Sequence, residues 1–235
     1  MHPIAIIQAR MGSTRLPGKV LKPILGQPML WHIIKRLRWV KEVKDVVVAT
    51  SDKIKDEPIT KFCSENGISC FAGSEEDVLD RFYKTAKTYT ADPIIRITGD
   101  CPLVDPEIVG NVIKLFKIGC YDHVGVAAGL GAENVISGRF PSGFDTECTS
   151  FNALEKAWKN SFTKRDREHV TPYIWSVKGR FRLGSYRAVK NYPKLHLSVD
   201  NEQDFELMCK VYQALYSDNK PFSIEDVMAF LIKNY

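Results

Sequence analysis

The chain has 235 residues, 44% of them hydrophobic and 26% charged, with a formal net charge of +5. This is ordinary globular usage, and a chain of this size buries its core without a disulfide or structural metal. The cations are dispersed among Asp and Glu, and no apolar run approaches the roughly 18 residues of a membrane span, so neither a nucleic-acid stripe nor membrane insertion is expected.

Pro3 to Ile7 reads as a buried strand that runs into the polar segment Gln8 to Lys19. From Met29 to Val40, apolar Leu30, Ile33, Ile34 and Leu37 recur at helical spacing. Val46 to Ala49 is a second strand, stopped by Thr50-Ser51-Asp52, and Ile59 to Asn66 is a helix closed by Gly67. Ile68 to Phe71 is a third strand, Asp77 to Tyr89 an amphipathic helix, and Pro93 to Ile97 a strand ending at Thr98-Gly99-Asp100. Strands that are apolar throughout and alternate with helices predict a parallel sheet covered on both faces. Ligands of such sheets gather at the carboxyl ends of the strands.

Residues 121–190 break this rhythm. They are richer in turn residues, with short strands expected to be antiparallel and helical patterns only at Ala153 to Trp158 and Glu168 to Val177. This stretch is expected to be an excursion from one 1–235 domain that builds an acceptor side and an oligomer contact. Leu195 to Val199 returns as a strand ending at Asp200, and the helices Glu202 to Tyr216 and Ile224 to Asn234 follow. The six cysteines, Cys63, Cys70, Cys101, Cys120, Cys148 and Cys209, lack metal-binding spacing. With no signal-peptide pattern at Met1-His2-Pro3, they are expected to be reduced thiols in the cytoplasm.

The segment Gln8-Ala9-Arg10-Met11-Gly12-Ser13-Thr14-Arg15-Leu16-Pro17-Gly18-Lys19 places three cations and two glycines directly after a strand. Glycines let backbone N–H groups approach phosphate oxygens, and Arg and Lys neutralise them. It is not a Walker A loop: five residues separate Gly12 from Gly18 and Val20 stands where a hydroxyl is needed. It resembles the opening signature of the sugar cytidylyltransferases, the group of the CMP-ketodeoxyoctonate and CMP-acylneuraminate synthetases. It is most similar to the branch named for spore coat polysaccharide biosynthesis protein F. Gly73 to Arg81, Arg96 to Leu103 and Asp166 to Tyr173 carry the same resemblance along the chain.

The resemblance implies a three-layer α/β/α sandwich with a mixed, mostly parallel sheet, of the nucleotide-diphosphosugar transferase type. It also implies that Gln8, Ala9, Arg10, Gly12 and Ser13 hold the nucleotide, that Arg10, Arg15 and Lys19 face the triphosphate, and that Thr50, Ser51, Asp52, Gly73 and Ser74 line base and ribose. Arg10, Lys19 and Asp100 would be catalytic. The implied partners are CTP and an anionic sugar acceptor, and the implied assembly is a homodimer. Gln8 departs from the Pro that many ketodeoxyoctonate and acylneuraminate synthetases have there.

Asp100 and Asp200 each follow a predicted apolar strand, and two strand-end carboxylates suit a hard ion such as Mg²⁺. Asp204 reads instead as a residue of a helix's first turn. On the acceptor side, Arg167 can fork onto a carboxylate or phosphonate, Asp145, Glu147 and His169 can bond hydroxyls, His169 can take part in proton transfer, and Glu168 joins them in the substrate-binding set. The same residues around Asp166 to His169 also suit the polar start of a helix. The expected activity is transfer of CMP to an acidic sugar with release of pyrophosphate. Transfer to a phosphonate or phosphorylated small acid, or a non-catalytic nucleotide-sugar-binding module, are the alternatives.

Overall fold

The structure, a computed structural model, describes residues 1–126 and 137–235. Residues 127–136, part of the expected excursion, lie outside the described residues. In chain order the elements are β1 (Ile4–Gln8), β2 (Pro23–Ile24), β3 (Gln27–Pro28), α1 (Met29–Leu37), β4 (Asp45–Ser51), α2 (Glu57–Glu65), β5 (Ser69–Gly73), α3 (Val78–Thr88), β6 (Ile94–Thr98) and α4 (Pro106–Gly119). There follow β7 (His123–Val126), β8 (Glu147–Thr149), α5 (Phe151–Asn160), α6 (Lys164–His169), α7 (Pro172–Trp175), β9 (Leu183–Tyr186), α8 (Glu202–Leu215) and α9 (Ile224–Asn234).

The main sheet has the order β5-β4-β1-β6-β8-β7-β9. Its first four strands are parallel, β8 runs antiparallel to both β6 and β7, and β9 is parallel to β7. The expected mixed, mostly parallel sheet is therefore present, although β9 departs from the antiparallel expectation for its region. Successive strand side chains face opposite ways. Ala5 and Ile7 of β1 join Val46, Val48, Ile95 and Ile97 in one core under α1, α4, α8 and α9. Ile4 and Ile6 join Val47, Ala49 and Ile94 in a second core under α3 and α5. That division makes the three layers.

Two further expectations are corrected. Leu195–Val199 forms no ladder strand. Its backbone bonds go to Ser142, at 3.2 and 3.0 Å, and to the Asp100 carbonyl at 2.8 Å, so its partners are loops rather than a strand. The helix expected over Glu168–Val177 is two short ones, α6 and α7, separated at Val170 by a positive φ of 71°. Helix α4 has no counterpart in the sequence expectations. It starts at Asp105, whose carboxylate accepts from Glu107 and Ile108 N–H at 2.8 and 3.3 Å, with Pro106 in the first turn.

Candidate active site

The loop after β1 is tied down from within and from the side. The Met11 carbonyl accepts from the N–H groups of Ser13 and Gly18, both at 2.9 Å, and Met11 N–H donates to Asp56 Oδ1 at 2.6 Å. Asp56 is fully buried and is itself held by the Ser51 hydroxyl. Gly18 closes the loop at φ +70°, a conformation that favours glycine, and delivers Lys19 back towards the sheet. Gly99 permits a second close approach, since a Cβ there would lie 2.8 Å from the Gln8 carbonyl.

Lys19 Nζ lies 3.4 Å from Asp100 Oδ2, 3.4 Å from Asp200 Oδ1 and 2.5 Å from the Val199 carbonyl. Its side chain is 11% exposed, so this is a sheltered ammonium rather than a surface pair. Arg15 reaches Asp200 Oδ2 at 3.0 Å and His196 Nε2 reaches the same oxygen at 3.1 Å. Burial pushes the Asp200 carboxyl up, but Lys19, Arg15 and His196 outweigh it and hold it below the ordinary value. Asp204 accepts from the N–H groups of Asp200 and Asn201 at 2.9 and 3.0 Å, capping α8 as its position suggested.

Beside this cluster opens a cleft of about 1090 Å³. Gln8, Ala9, Arg10, Asp100, Asp145, Glu147, Arg167, Glu168 and His169 line it, as do Arg81, Arg96, Lys164, Thr171 and Trp175, which the sequence reading did not select. The remaining sequence candidates lie off its wall. Thr50 and Ser51 are buried in β4; Asp52 is exposed, and its N–H bonds the Gly73 carbonyl at 2.8 Å. Ser74 accepts from Asp77 N–H at 3.0 Å and gives its carbonyl to Arg81 at 2.6 Å. Gly12 packs beside the Lys55–Glu75 ion pair, and Ser13 is half-buried in the loop.

Arg167 is engaged by the protein: it donates to the Trp158 carbonyl at 3.0 Å and lies 3.4 Å from Asp77. Glu147 is the centre of a second network. Arg96 donates to it at 2.7 Å, the Thr171 hydroxyl at 2.8 Å, and His123 Nε2 stands 3.8 Å away. Burial raises the Glu147 carboxyl, but Arg96, His123 and Thr171 prevail and hold it low. Asp145 goes the other way. Burial, then the neighbouring Glu147 and Asp100, push its carboxyl up against a 2.8 Å bond from Gly143 N–H and the nearby Arg96. Cys101, beside Asp100, is buried and its thiol is pushed well up by that burial, so it packs rather than reacts.

A cation-rich loop, paired carboxylates and an adjoining polar cleft suit nucleotidyl transfer, and a family model described as cytidylyltransferase matches residues 4–226. The chain belongs to the cytidylyltransferase family. The spore coat polysaccharide biosynthesis protein SpsF of Bacillus subtilis is 33% identical over 236 residues, spanning 97% of this chain and 93% of that protein. A cytidylyltransferase from Leptospira borgpetersenii superposes with a TM-score of 0.89 at 32% identity, covering 100% of this chain and 95% of its own. The 3-deoxy-manno-octulosonate cytidylyltransferase of Geobacter metallireducens is 36% identical over 109 residues, 46% of this chain and 42% of that protein. This cytidylyltransferase is thus a nucleotidyltransferase with the fold the sequence implied. None of its helices among the described residues is long and apolar enough to cross a membrane.

Proposed function

We propose that this cytidylyltransferase transfers CMP from CTP to an acidic sugar of the ulosonic or nonulosonic type, releasing pyrophosphate, in the making of a surface polysaccharide or glycan. The observation that carries the reading is the meeting of Lys19, Asp100 and Asp200 at the rim of a polar cleft. The names of the B. subtilis and G. metallireducens relatives support the acceptor class and the pathway type.

Arg10, Arg15 and Lys19 bind the triphosphate and neutralise the departing pyrophosphate. Gln8 and Ala9 hold the nucleotide at the end of β1. Asp145, Glu147, Glu168 and His169 orient the acceptor. Its hydroxyl oxygen forms a bond to the α-phosphorus while the bond to the bridging oxygen of pyrophosphate breaks in line. The hydroxyl proton passes to Asp145, a carboxylate on the cleft wall with Asp100. Asp100 and Asp200 would hold a Mg²⁺ ion: both are hard oxygen donors, turned here onto the Lys19 ammonium, which would give way to the ion and turn to the phosphates. Bound there, Mg²⁺ would polarise the α-phosphate and acidify the acceptor hydroxyl.

The excursion is further proposed to pair two chains as a homodimer. Among the described residues the sheet ends on β9, which has β7 on one side and an exposed Leu183. Sedimentation as a monomer at micromolar concentration would retire that part.

Pyrophosphate release, assayed with Mg²⁺, each of four nucleoside triphosphates, and a panel of acidic sugars and phosphonates, tests the activity. Release with CTP and an acidic sugar alone is the expected result. Release only with phosphonates, or with another nucleotide, overturns the acceptor or donor assignment respectively.

A further inference from the structure

Arg96 is the one charged residue in β6, between apolar Ile95 and Ile97. It faces Glu147 directly across the antiparallel β6–β8 pair and donates through Nη1 to Glu147 Oε2 at 2.7 Å. Through Nη2 it donates to Gln8 Oε1 at 3.0 Å. All three residues line the cleft. The guanidinium cannot swing away, because Glu147 is held on its other oxygen by Thr171, and the Thr171 hydroxyl is held by Trp175 Nε1 at 3.2 Å.

A guanidinium has donors and no acceptor, so the amide atom turned towards it has to be the oxygen. The opposite orientation of Gln8 would set N–H against N–H. The Gln8 Nε2 group is therefore turned from Arg96, and among the described residues none accepts from it. We infer that Arg96 is a positioning residue for the nucleotide: it locks the Gln8 amide so that Gln8 offers the cleft N–H donors alone, matched to an oxygen acceptor on the nucleotide. The inference rests on the nucleotide reading of this cleft. The acceptor is a carbonyl of the base or an oxygen of the phosphates, which share the same chemistry.

Calorimetry with CTP, cytidine and inorganic tripolyphosphate tests it. The variants are Gln8→Ala, the charge-balanced pair Arg96→Met with Glu147→Gln, the combination of all three, and Gln8→Glu. Gln8→Ala and the balanced pair are each expected to weaken CTP about five- to tenfold, the loss of one hydrogen bond. The triple variant is expected to be no weaker than Gln8→Ala, because Arg96 acts through Gln8. Gln8→Glu needs no change at Arg96. Its carboxylate keeps the pair with Arg96 but has no N–H to give, so it is expected to bind CTP no better than Gln8→Ala while melting at or above the wild-type temperature. A matching loss with cytidine assigns the bond to the base and one with tripolyphosphate to a phosphate; either supports the inference. Additive losses in the triple variant, or wild-type CTP affinity in Gln8→Ala or Gln8→Glu, overturn it while leaving the nucleotide reading intact. Wild-type protein that binds none of the three ligands overturns both.

Discussion

Asp100 and Asp145 are neighbours in one cleft with different environments, and their substitutions separate two tasks. Asp100 shares the Lys19 ammonium with Asp200. Asp100→Asn keeps the shape and removes the charge, so turnover with Mg²⁺ is expected to fall by at least 100-fold with an unchanged melting curve. Near-normal turnover would show that the ion sits elsewhere. Asp145→Asn is expected to leave CTP affinity as it is and lower kcat by about 100-fold, as loss of a proton acceptor does. A parallel drop in CTP affinity would move Asp145 to the nucleotide. The charged residues of the first loop, Asp100 and Asp200 stand out in the sequence because each sits a few residues past an apolar run. Arg96 was not legible in the same way, although a lone charge inside an apolar strand was a visible signal. Its meaning depends on Gln8 and Glu147, which lie 88 and 51 residues away. Thr50 and Ser51, expected to line base and ribose, are buried in β4, where Ser51 bonds the Asp56 that anchors the loop backbone.

Asp105 joins two helices that are far apart in sequence. It caps α4 through Oδ1 and accepts from Ile224 N–H, at the start of α9, through Oδ2 at 2.8 Å. It is 3% exposed, so its loss strands buried N–H groups at two helix starts. Asp105→Ala is expected to cost about 2–4 kcal/mol in urea unfolding, more than the ~1 kcal/mol of an ordinary exposed cap. A loss below about 1 kcal/mol would show that the two starts are independently satisfied. The same residue explains what could be read at this scale. The long buried strands and amphipathic helices of the first hundred residues follow from periodicity alone. Helix α4 carries the Asp-Pro start and an apolar face at Ile108, Val109, Val112, Ile113 and Phe116. Those signals were available and went unassigned. Leu195–Val199 is the reverse case: its pattern suits a strand, but the chain beside it is loop, and pattern does not supply a ladder partner.

Two buried histidines couple the whole fold to pH. His32 is 1% exposed and His123 4% exposed, and both have their imidazolium form disfavoured first by burial. Opposing terms are weaker: the Ile24 carbonyl for His32 and Glu147 for His123. With folded values below the ordinary 6.5, the unfolded chain binds more protons beneath that point, so stability is full above about pH 6.5 and is lost as pH falls towards the folded values. The slope is at most ~1.4 kcal/mol per pH unit for each histidine. Asp145, with its raised carboxyl, takes up a proton on folding and opposes the trend at the acid end. Melting curves from pH 7.5 to 5.5 should show the decline, and His32→Gln with His123→Gln should flatten it. An unchanged slope in that variant would assign the acid sensitivity to other groups.

Lys19 and its carbonyl partner at Val199 are 180 residues apart. During synthesis, the chain through Val199 must leave the ribosome before the ammonium of the first loop meets all of its oxygens. β1, β4 and β5 all precede Asp100 in the chain, whereas the Lys19 cluster is completed only by Val199 and Asp200. A nascent chain halted before Val199 carries Lys19 with Asp100 as the one available partner of the three.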